Sequence, residues 1–200
     1  MVTPSPRRIG APDSKTRARL VEAAEQLLLD EGSAAVTSRR VGAKAGLKPQ
    51  LVHYYFRSME DLFVEVFRRR ADESLARAER ALAESSALRT IWEINADPRG
   101  AAFNIEFVAL AKHHPVVRSE VARYAERYRA MQLQALGRAL EATGVSADDV
   151  PPMAALLLMT GLTQVLALEQ TLGVTAGHEE SVSFVTRLID RLESGQAGGR

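Results

Sequence analysis

Apolar residues recur at helical spacing along almost the whole chain. Two early stripes lie between Leu20 and Leu28 and between Leu62 and Phe67, with steps of three and four residues that place them on one face of a helix. No long segment shows the strict alternation of apolar and polar residues that is typical of a half-buried strand. The pattern therefore predicts an all-α protein of about nine helices.

Capping residues and glycines place the helix ends. Either Asp13 or Ser14 caps the first helix and Gly32 ends it, Thr37 caps the second, and Ser58 caps the fourth, with Asp61 in a loose capping-box position. The nine predicted helices are a long fourth helix from Met59 and eight others at about 15–31, 38–44, 49–54, 87–95, 101–112, 116–142, 152–172 and 178–193. A break is predicted at 97–100.

The predicted organisation is a small head joined to a larger body. We expect an N-terminal arm at 1–13, a helix-turn-helix domain at 14–58, a ligand-binding and dimerisation domain at 59–193, and a disordered tail at 194–200. The tail is rich in glycine, and the arm contains prolines and arginines but lacks the apolar stretch of a signal peptide.

The head contains two short helices joined by Ala45-Gly46-Leu47, which is the spacing of a helix-turn-helix. The second helix of such a motif lies in the major groove and presents its N-terminal side chains to base edges. Val52 and Phe56 fall on the inward face of this helix. The other side chains, and the start of the preceding helix, are left for bases and phosphates. The predicted DNA-binding residues are Thr37, Ser38, Arg39, Lys48, Pro49, Gln50, Leu51, His53, Tyr54 and Arg57. The alternative for Tyr54 is a core aromatic.

Charge supports a polyanionic partner for the head alone. Residues 1–57 contain ten Lys and Arg against five Asp and Glu, whereas the remainder has sixteen against twenty. A basic head on a mildly acidic body is expected if only the head meets DNA. The chain has no cysteine, which excludes disulfides, thiolate metal sites and thiol nucleophiles and fits a reducing cytoplasm.

Residues 16–63 resemble the DNA-binding domain of the TetR family. The resemblance lies in Thr16-Arg17, Leu20 and Ala23-Ala24, in Gly32, Thr37 and Ala45-Gly46, and in Tyr55-Phe56 followed by Ser58 and Glu60-Asp61-Leu62-Phe63. It implies an all-α homodimer that binds palindromic double-stranded DNA, and a body that binds a small effector without a cofactor. Most members repress transcription, and such a protein is expected at the nucleoid in the cytoplasm. Activation is the alternative within the family.

Five positions depart from the family pattern. Gln50 stands where a small residue is common, His53 where tyrosine is frequent, Lys48 in place of a hydroxyl cap, and Met59 in place of lysine. Gly42 replaces a usual alanine, and glycine costs about 1 kcal/mol of helix propensity relative to alanine. These departures predict that this chain prefers different bases from other members of the family. They also predict a recognition helix that begins without a side-chain cap.

Two helices of the body are candidates for a dimer interface. The segment from Met153 to Leu168 is apolar almost all round, and the last helix carries an apolar stripe. Pairing of both helices with those of a second copy would make a four-helix bundle, which the family resemblance also implies. The predicted interface residues are Leu157, Gly161, Val165, Val185, Leu188, Ile189 and Leu192. Packing within one subunit is the alternative. A membrane span is disfavoured because it needs about 20 apolar residues.

Aromatic residues with a few polar neighbours are the candidates for an effector pocket. They are Trp92, Phe103, Asn104, Phe107, Tyr124, Tyr128, Met131 and Gln164. The alternative for each is ordinary core packing, and the assignment to an apolar or amphipathic small-molecule ligand rests mainly on the resemblance.

Other functional classes have little support in the sequence. There is no P-loop, dinucleotide fingerprint, zinc-binding His pair or nucleophile elbow. The adjacent His113 and His114 point about 100° apart on a helix and do not present one metal ion together. We expect no catalytic residues and no metal site. A helical enzyme and a structural or partner-binding protein remain as alternatives.

Overall fold

The fold was analysed in a computed structural model that describes residues 14–83 and 87–194. Within these residues the chain forms nine α-helices and no strand, which confirms the predicted all-α class. The helices are α1 (Lys15–Glu31), α2 (Ser38–Lys44), α3 (Gln50–Tyr55), α4 (Met59–Ala81), α5 (Ala87–Ala96), α6 (Pro98–Ala111), α7 (Pro115–Thr143), α8 (Pro152–Thr171) and α9 (His178–Glu193). The predicted arm at 1–13 and all of the predicted tail except Ser194 lie outside the described residues.

Most helix boundaries agree with those predicted, and α2 and α9 agree at both ends. Helix α6 is the largest exception, since it begins at Pro98 and not at Ala101. The Asp97 carboxylate accepts hydrogen bonds from the N–H groups of Arg99 (3.2 Å) and Gly100 (3.1 Å), so Asp97 caps the helix and Pro98 occupies its first turn. The sequence also did not indicate the short 3₁₀ turn at Ser33–Ala35.

The chain divides into two compact units. Among the described residues, one contains 14–71 together with 103–122, and the other contains 72–83, 87–102 and 123–194. We call them the head unit and the body unit. The head unit therefore extends past the boundary predicted after residue 58, and it includes most of α6.

The core of the head unit is built from apolar faces of short helices and one aromatic cluster. Leu20, Val41 and Leu62 are fully buried. Phe67, Phe103 and Phe107 lie together, with ring centroids 4.5 Å apart between Phe103 and Phe107 and 5.0 Å apart between Phe67 and Phe107. Ring pairs at such distances add to the stabilisation that burial alone provides.

The body unit has a separate hydrophobic core. Its buried members come from α4, α5, α7, α8 and α9, and they are Leu75, Ala78, Ala87, Leu88, Ile91, Trp92, Tyr128, Ala135, Leu136, Leu140, Leu156, Val185 and Ile189. Polar contacts hold α9 in place: His178 Nε2 lies 2.8 Å from a Glu169 oxygen of α8, and the N–H of Arg89 donates to Glu193 (3.0 Å). Arg89 also forms an ion pair with Asp190.

Candidate nucleic-acid interface

Helices α2 and α3 form a helix-turn-helix with a tight turn. Gly46 adopts φ 65°, a left-handed conformation that glycine reaches without the strain of a side chain. The N–H of Leu47 donates to the carbonyl of Gly42 over 2.8 Å, which closes the turn. Helix α3 begins with no side-chain cap at Pro49, as the sequence predicted.

The structure explains why glycine occupies position 42, although glycine has a low helix propensity. A Cβ at this buried position would lie 3.0 Å from the carbonyl oxygen of Leu47 and 3.1 Å from the backbone of Pro49. The absence of a side chain therefore lets the start of α3 approach α2 closely. The close packing of α3 against α2 offsets the unfavourable helix propensity of glycine at this position.

The two faces of α3 are separated as helical spacing predicted. Val52 is 1% exposed and Phe56 is 3% exposed, so both point into the head unit. Leu51 and Pro49 are half-buried. The exposed side chains along and beside this helix are those of Lys48, Gln50, His53, Tyr54 and Arg57. Tyr54 is 45% exposed and meets the ring of Tyr55 edge-on at 5.0 Å, which argues against a purely structural role in the core.

Three predicted cations remain available for a ligand. The side chains of Arg39, Lys48 and Arg57 make no hydrogen bond or ion pair with the described part of the chain, and all three residues are exposed. By contrast, Arg40 and Lys44 of α2 are paired with residues at the end of α1: Arg40 donates to Glu31 over 2.5 and 2.6 Å, and Lys44 lies 3.2 Å from Asp30. The hydrogen bond to Glu31 raises the pKa of Arg40. Of the three cations of α2, Arg39 is therefore free among the described residues and the other two are paired within the chain.

The start of α2 is capped from its own chain. The Thr37 hydroxyl accepts a hydrogen bond from the N–H of Arg40 over 3.3 Å. Thr37 and Arg39 are exposed and Ser38 is half-buried. These residues are placed where a phosphate could approach the helix N-terminus.

Helix α1 holds the motif from behind. Arg19 donates to the carbonyl of Ala45 in the turn over 2.5 Å. Arg17 donates to Glu65 of α4 over 2.6 Å, and its guanidinium lies 5.1 Å from the centre of the Phe56 ring. The hydrogen bond from Arg17 lowers the pKa of Glu65. These contacts fix the turn and the C-terminal end of the motif on a rigid support, which recognition of a base sequence requires.

A carboxylate of α6 also supports the motif, and the sequence did not reveal it. Glu106 accepts a hydrogen bond from the N–H of Ser33 over 3.0 Å, at the start of the 3₁₀ turn that leads into α2. The partners are 73 residues apart in sequence, so no local pattern could have indicated the contact. Glu106 is a positioning residue for the entry into α2.

The residues predicted for an effector pocket are divided between the two units. Trp92, Tyr124, Tyr128 and Met131 belong to the body core, and the rings of Tyr124 and Tyr128 are stacked at 5.6 Å. Phe103 and Phe107 instead belong to the aromatic cluster of the head unit and are 2% and 0% exposed. Asn104 and Gln164 are exposed, so neither is a buried polar group in need of a partner.

The body core contains two unpaired polar atoms on α7. The phenol oxygen of Tyr128 and Nε2 of Gln132 are buried and have no hydrogen-bond partner. Burial raises the pKa of Tyr128 above its usual value, and the neighbouring Tyr124 raises it further. Gln132 was not predicted, although it continues the four-residue spacing of Tyr124 and Tyr128 and could have been found by extending that stripe.

Helices α8 and α9 leave an apolar surface uncovered. Leu156 and Thr163 are the buried residues of α8. Leu157, Gly161 and Val165, which were predicted for the interface, are exposed, as is Leu188 of α9. The exposed large apolar residues of the two helices are Met153, Leu157, Leu158, Val165, Leu168, Val182, Phe184 and Leu188. We call this set the α8–α9 face.

Two of the predicted interface residues must be reassigned. Val185 is 5% exposed and Ile189 is 1% exposed, because both pack into the body core of their own chain. Leu192 is half-buried against the same core. The centre of the apolar stripe of α9 is therefore internal, and Val182 and Leu188 lie exposed on either side of it.

The length argument against a membrane span was wrong for α8. The helix has 20 residues and is long and apolar enough to cross a membrane by length and composition.

No group of three or more potential metal ligands occurs in residues 14–83 and 87–194.

Comparison with known proteins gives consistent matches. Residues 20–66 match the family model described as bacterial regulatory proteins, tetR family. The HTH-type transcriptional regulator BetI of Rhizobium meliloti is 31% identical over 147 residues, which cover 69% of this chain and 70% of BetI.

Solved structures show the same fold. A TetR-family transcriptional regulator from Rhodococcus sp. has a TM-score of 0.67 at 18% identity, covering 89% of this chain and 98% of that one. The transcriptional regulator FadR of Bacillus subtilis, in complex with stearoyl-CoA, has a TM-score of 0.66 at 14% identity with the same coverage.

Proposed function

Because the chain belongs to the TetR family of bacterial transcriptional regulators, we propose that it is a homodimeric repressor that a small-molecule effector releases from a palindromic operator. The observation that carries this proposal is the exposed face of α3, on which base-reading and phosphate-binding side chains lie together over a buried anchor. Such a regulator acts in the cytoplasm, at the nucleoid.

Gln50 and Leu51 are the residues that we assign to base recognition. A glutamine amide pairs with the two major-groove groups of adenine, and a leucine methyl contacts the methyl of thymine. Arg39, Lys48 and Arg57 are assigned to phosphates because all three are exposed and unpaired within the described residues. Phosphate contacts set affinity and orientation, while base contacts set sequence preference.

The dimer is proposed to form through the α8–α9 face. Its apolar side chains are exposed in a single chain, which is unfavourable unless another surface covers them. A second copy is the simplest occupant, because a two-fold axis buries the same face of both chains at once. A membrane is the competing occupant for α8, but Glu169 near its end is paired with His178, and the exposed Arg187 and Arg191 of α9 would accompany it.

Effector control is proposed to act through the body unit. FadR carries stearoyl-CoA, and the body unit here contains an aromatic cluster with unpaired polar atoms. Helices α4, α6 and α7 each have residues in both units. A ligand that binds one conformation of the body better than another shifts the population of the head conformations by its difference in affinity. A coupling of about 1–3 kcal/mol would weaken DNA binding about 5- to 150-fold.

The proposal is tested by selecting the preferred sequence from random DNA and measuring the mass of the free and bound protein by light scattering. We expect two inverted half-sites about one helical turn apart or slightly more, bound by two chains. Footprinting of the selected site should protect both halves. A monomer in solution, or selected DNA without an inverted repeat, would overturn the proposal.

A further inference from the structure

Tyr128 and Gln132 form a pair of unsatisfied polar groups inside the body core. They are 7% and 5% exposed, and neither the phenol oxygen nor Nε2 has a partner. The residues are four apart on α7, so their side chains are neighbours on one helix face. Buried polar groups in native proteins are nearly always paired, and each exception needs an explanation.

The buried side chains around the pair are apolar. Trp92, Leu136 and Leu156 belong to the same cluster, and the stacked ring of Tyr124 lies beside Tyr128. Arg77 acts on Tyr128 electrostatically, but its own side chain is exposed. The phenol stays protonated over the physiological range, because burial raises its pKa. Both groups therefore offer N–H or O–H donors in a setting that disfavours charge.

We propose that Tyr128 and Gln132 anchor the effector and select an uncharged molecule with a hydrogen-bond acceptor, such as a carbonyl oxygen, on a flat apolar body. This inference rests on the proposed function, since it names the ligand class of the same effector site. A carbonyl oxygen has two lone pairs and satisfies both donors at once. A carboxylate or an ammonium group would lose its hydration without gaining a buried counter-ion.

The ligand class is tested with four probes on one phenyl scaffold. Acetophenone carries the acceptor, ethylbenzene replaces its carbonyl by a methylene group, benzoate is an anion, and benzyltrimethylammonium is a cation. Binding to the full-length protein is measured by calorimetry. The emission of Trp92 reports the location, since it is the single tryptophan of the chain and lies in this cluster. We expect acetophenone to bind at least about 10-fold tighter than each of the others, as two added hydrogen bonds allow.

Variants separate the anchor from general packing. Tyr128→Phe and Gln132→Leu should each reduce the affinity for acetophenone about 5- to 10-fold and leave ethylbenzene unchanged. Gln134→Leu is the matched control, because Gln134 is exposed on the same helix, and it should change neither. Equal binding of all four probes, failure of acetophenone to bind, or full affinity in both variants would overturn the anchor.

Stability without any probe gives a second test. Because the polar atoms are unpaired in the free protein, Tyr128→Phe and Gln132→Leu should melt at the same or a higher temperature than the parent. Melting several degrees lower would show that the two groups are paired within the protein and would contradict the proposal.

The anchor and the proposed function fail in different ways. If acetophenone binds through Tyr128 and Gln132 but neither it nor a tighter relative changes the affinity for the selected DNA, effector control fails and the anchor stands. If a probe releases the DNA equally from the parent and from both variants, effector control stands and the anchor fails.

Discussion

Helices α1 and α8 differ in how many of their residues are buried, and the difference runs against their hydrophobicity. Seven of the 17 residues of α1 are buried, although α1 carries many charged side chains. Helix α8 has 20 residues and is almost wholly apolar, yet it buries only Leu156 and Thr163. Burial in one chain therefore does not follow from hydrophobicity. The exposed apolar residues of α8 are those that we propose a second copy covers, whereas the buried residues of α1 pack within the head unit.

The largest effect is expected from a charge placed on the uncovered helix. Leu158→Glu introduces a carboxylate at a residue that is 76% exposed, so the single chain should still fold. In a dimer, two such charges would lie in an apolar interface without partners. We expect monomers, and a loss of DNA affinity of about 10²- to 10⁴-fold because the two heads no longer act together. Light scattering and DNA titration check this.

Two matched substitutions sharpen that result. Gln170→Glu adds the same charge at an exposed polar position of α8 and should leave the dimer intact. Ile189→Glu places the charge in the body core and should prevent folding. A tight dimer in Leu158→Glu would mean that the two chains meet elsewhere.

The head unit should respond to loss of volume instead. Phe107 is fully buried against Phe67 and Phe103, and Phe107→Ala should cost about 3–5 kcal/mol of unfolding free energy. Leu158→Ala removes part of a smaller apolar side chain from the surface of a single chain. In a urea titration at a concentration where the protein is monomeric, it should change stability by less than about 0.5 kcal/mol. Equal losses of stability would contradict the difference between the buried aromatic cluster of the head unit and the exposed α8–α9 face.

These contrasts also show how far the sequence could be interpreted. Periodicity and caps were enough for α2, which runs from Ser38 to Lys44 as predicted, because both of its ends are set by neighbouring residues. The contact from Glu106 to Ser33 could not be predicted, because it joins residues that only the tertiary fold brings together.

The candidate sites divide in the same way. The exposed face of α3 followed from helical spacing, since Val52 and Phe56 define the buried side. Val185 and Ile189 were assigned to the dimer because a stripe shows that a face is apolar but not which surface covers it. Asn104 was chosen for its apolar neighbours in sequence, although the turn of the helix exposes it.

Substitutions of base-reading residues in the head unit should have smaller effects than the substitutions at Leu158 and Phe107. Gln50→Ala is expected to cost about 1–3 kcal/mol per half-site and to relax the preferred sequence at one position. Lys48→Ala should instead weaken binding to all sequences and flatten its salt dependence, because a phosphate contact releases counterions. Selection from random DNA distinguishes them. An unchanged preferred sequence in Gln50→Ala would contradict the assigned orientation of α3.

A smaller effect is expected at the entry into α2. Glu106→Gln keeps the shape of the side chain but replaces a charge-assisted hydrogen bond to the N–H of Ser33 by a neutral one. The difference is about 1 kcal/mol, and it should appear in both the unfolding free energy and the DNA affinity. Glu126→Gln on the exposed side of α7 is the control. No change relative to this control would show that Glu106 does not position α2.

The smallest expected effect is on the stability of the protein at acidic pH, and it arises from an ion pair in the head unit. The hydrogen bond from Arg17 lowers the pKa of Glu65 below its ordinary value of 4.5. A lowered pKa in the folded state stabilises the protein above pH 4.5, and this contribution is lost as the pH falls through the folded value. Because solvent partly screens the pair, the contribution is under about 1 kcal/mol. Glu65→Gln should therefore lower stability slightly at pH 7 and make its decline below pH 4.5 shallower, as urea titrations at several pH values would show. A decline as steep as that of the parent would place the acid sensitivity in other carboxylates. Dimerisation through the α8–α9 face, whose side chains are apolar, should change little over the same range.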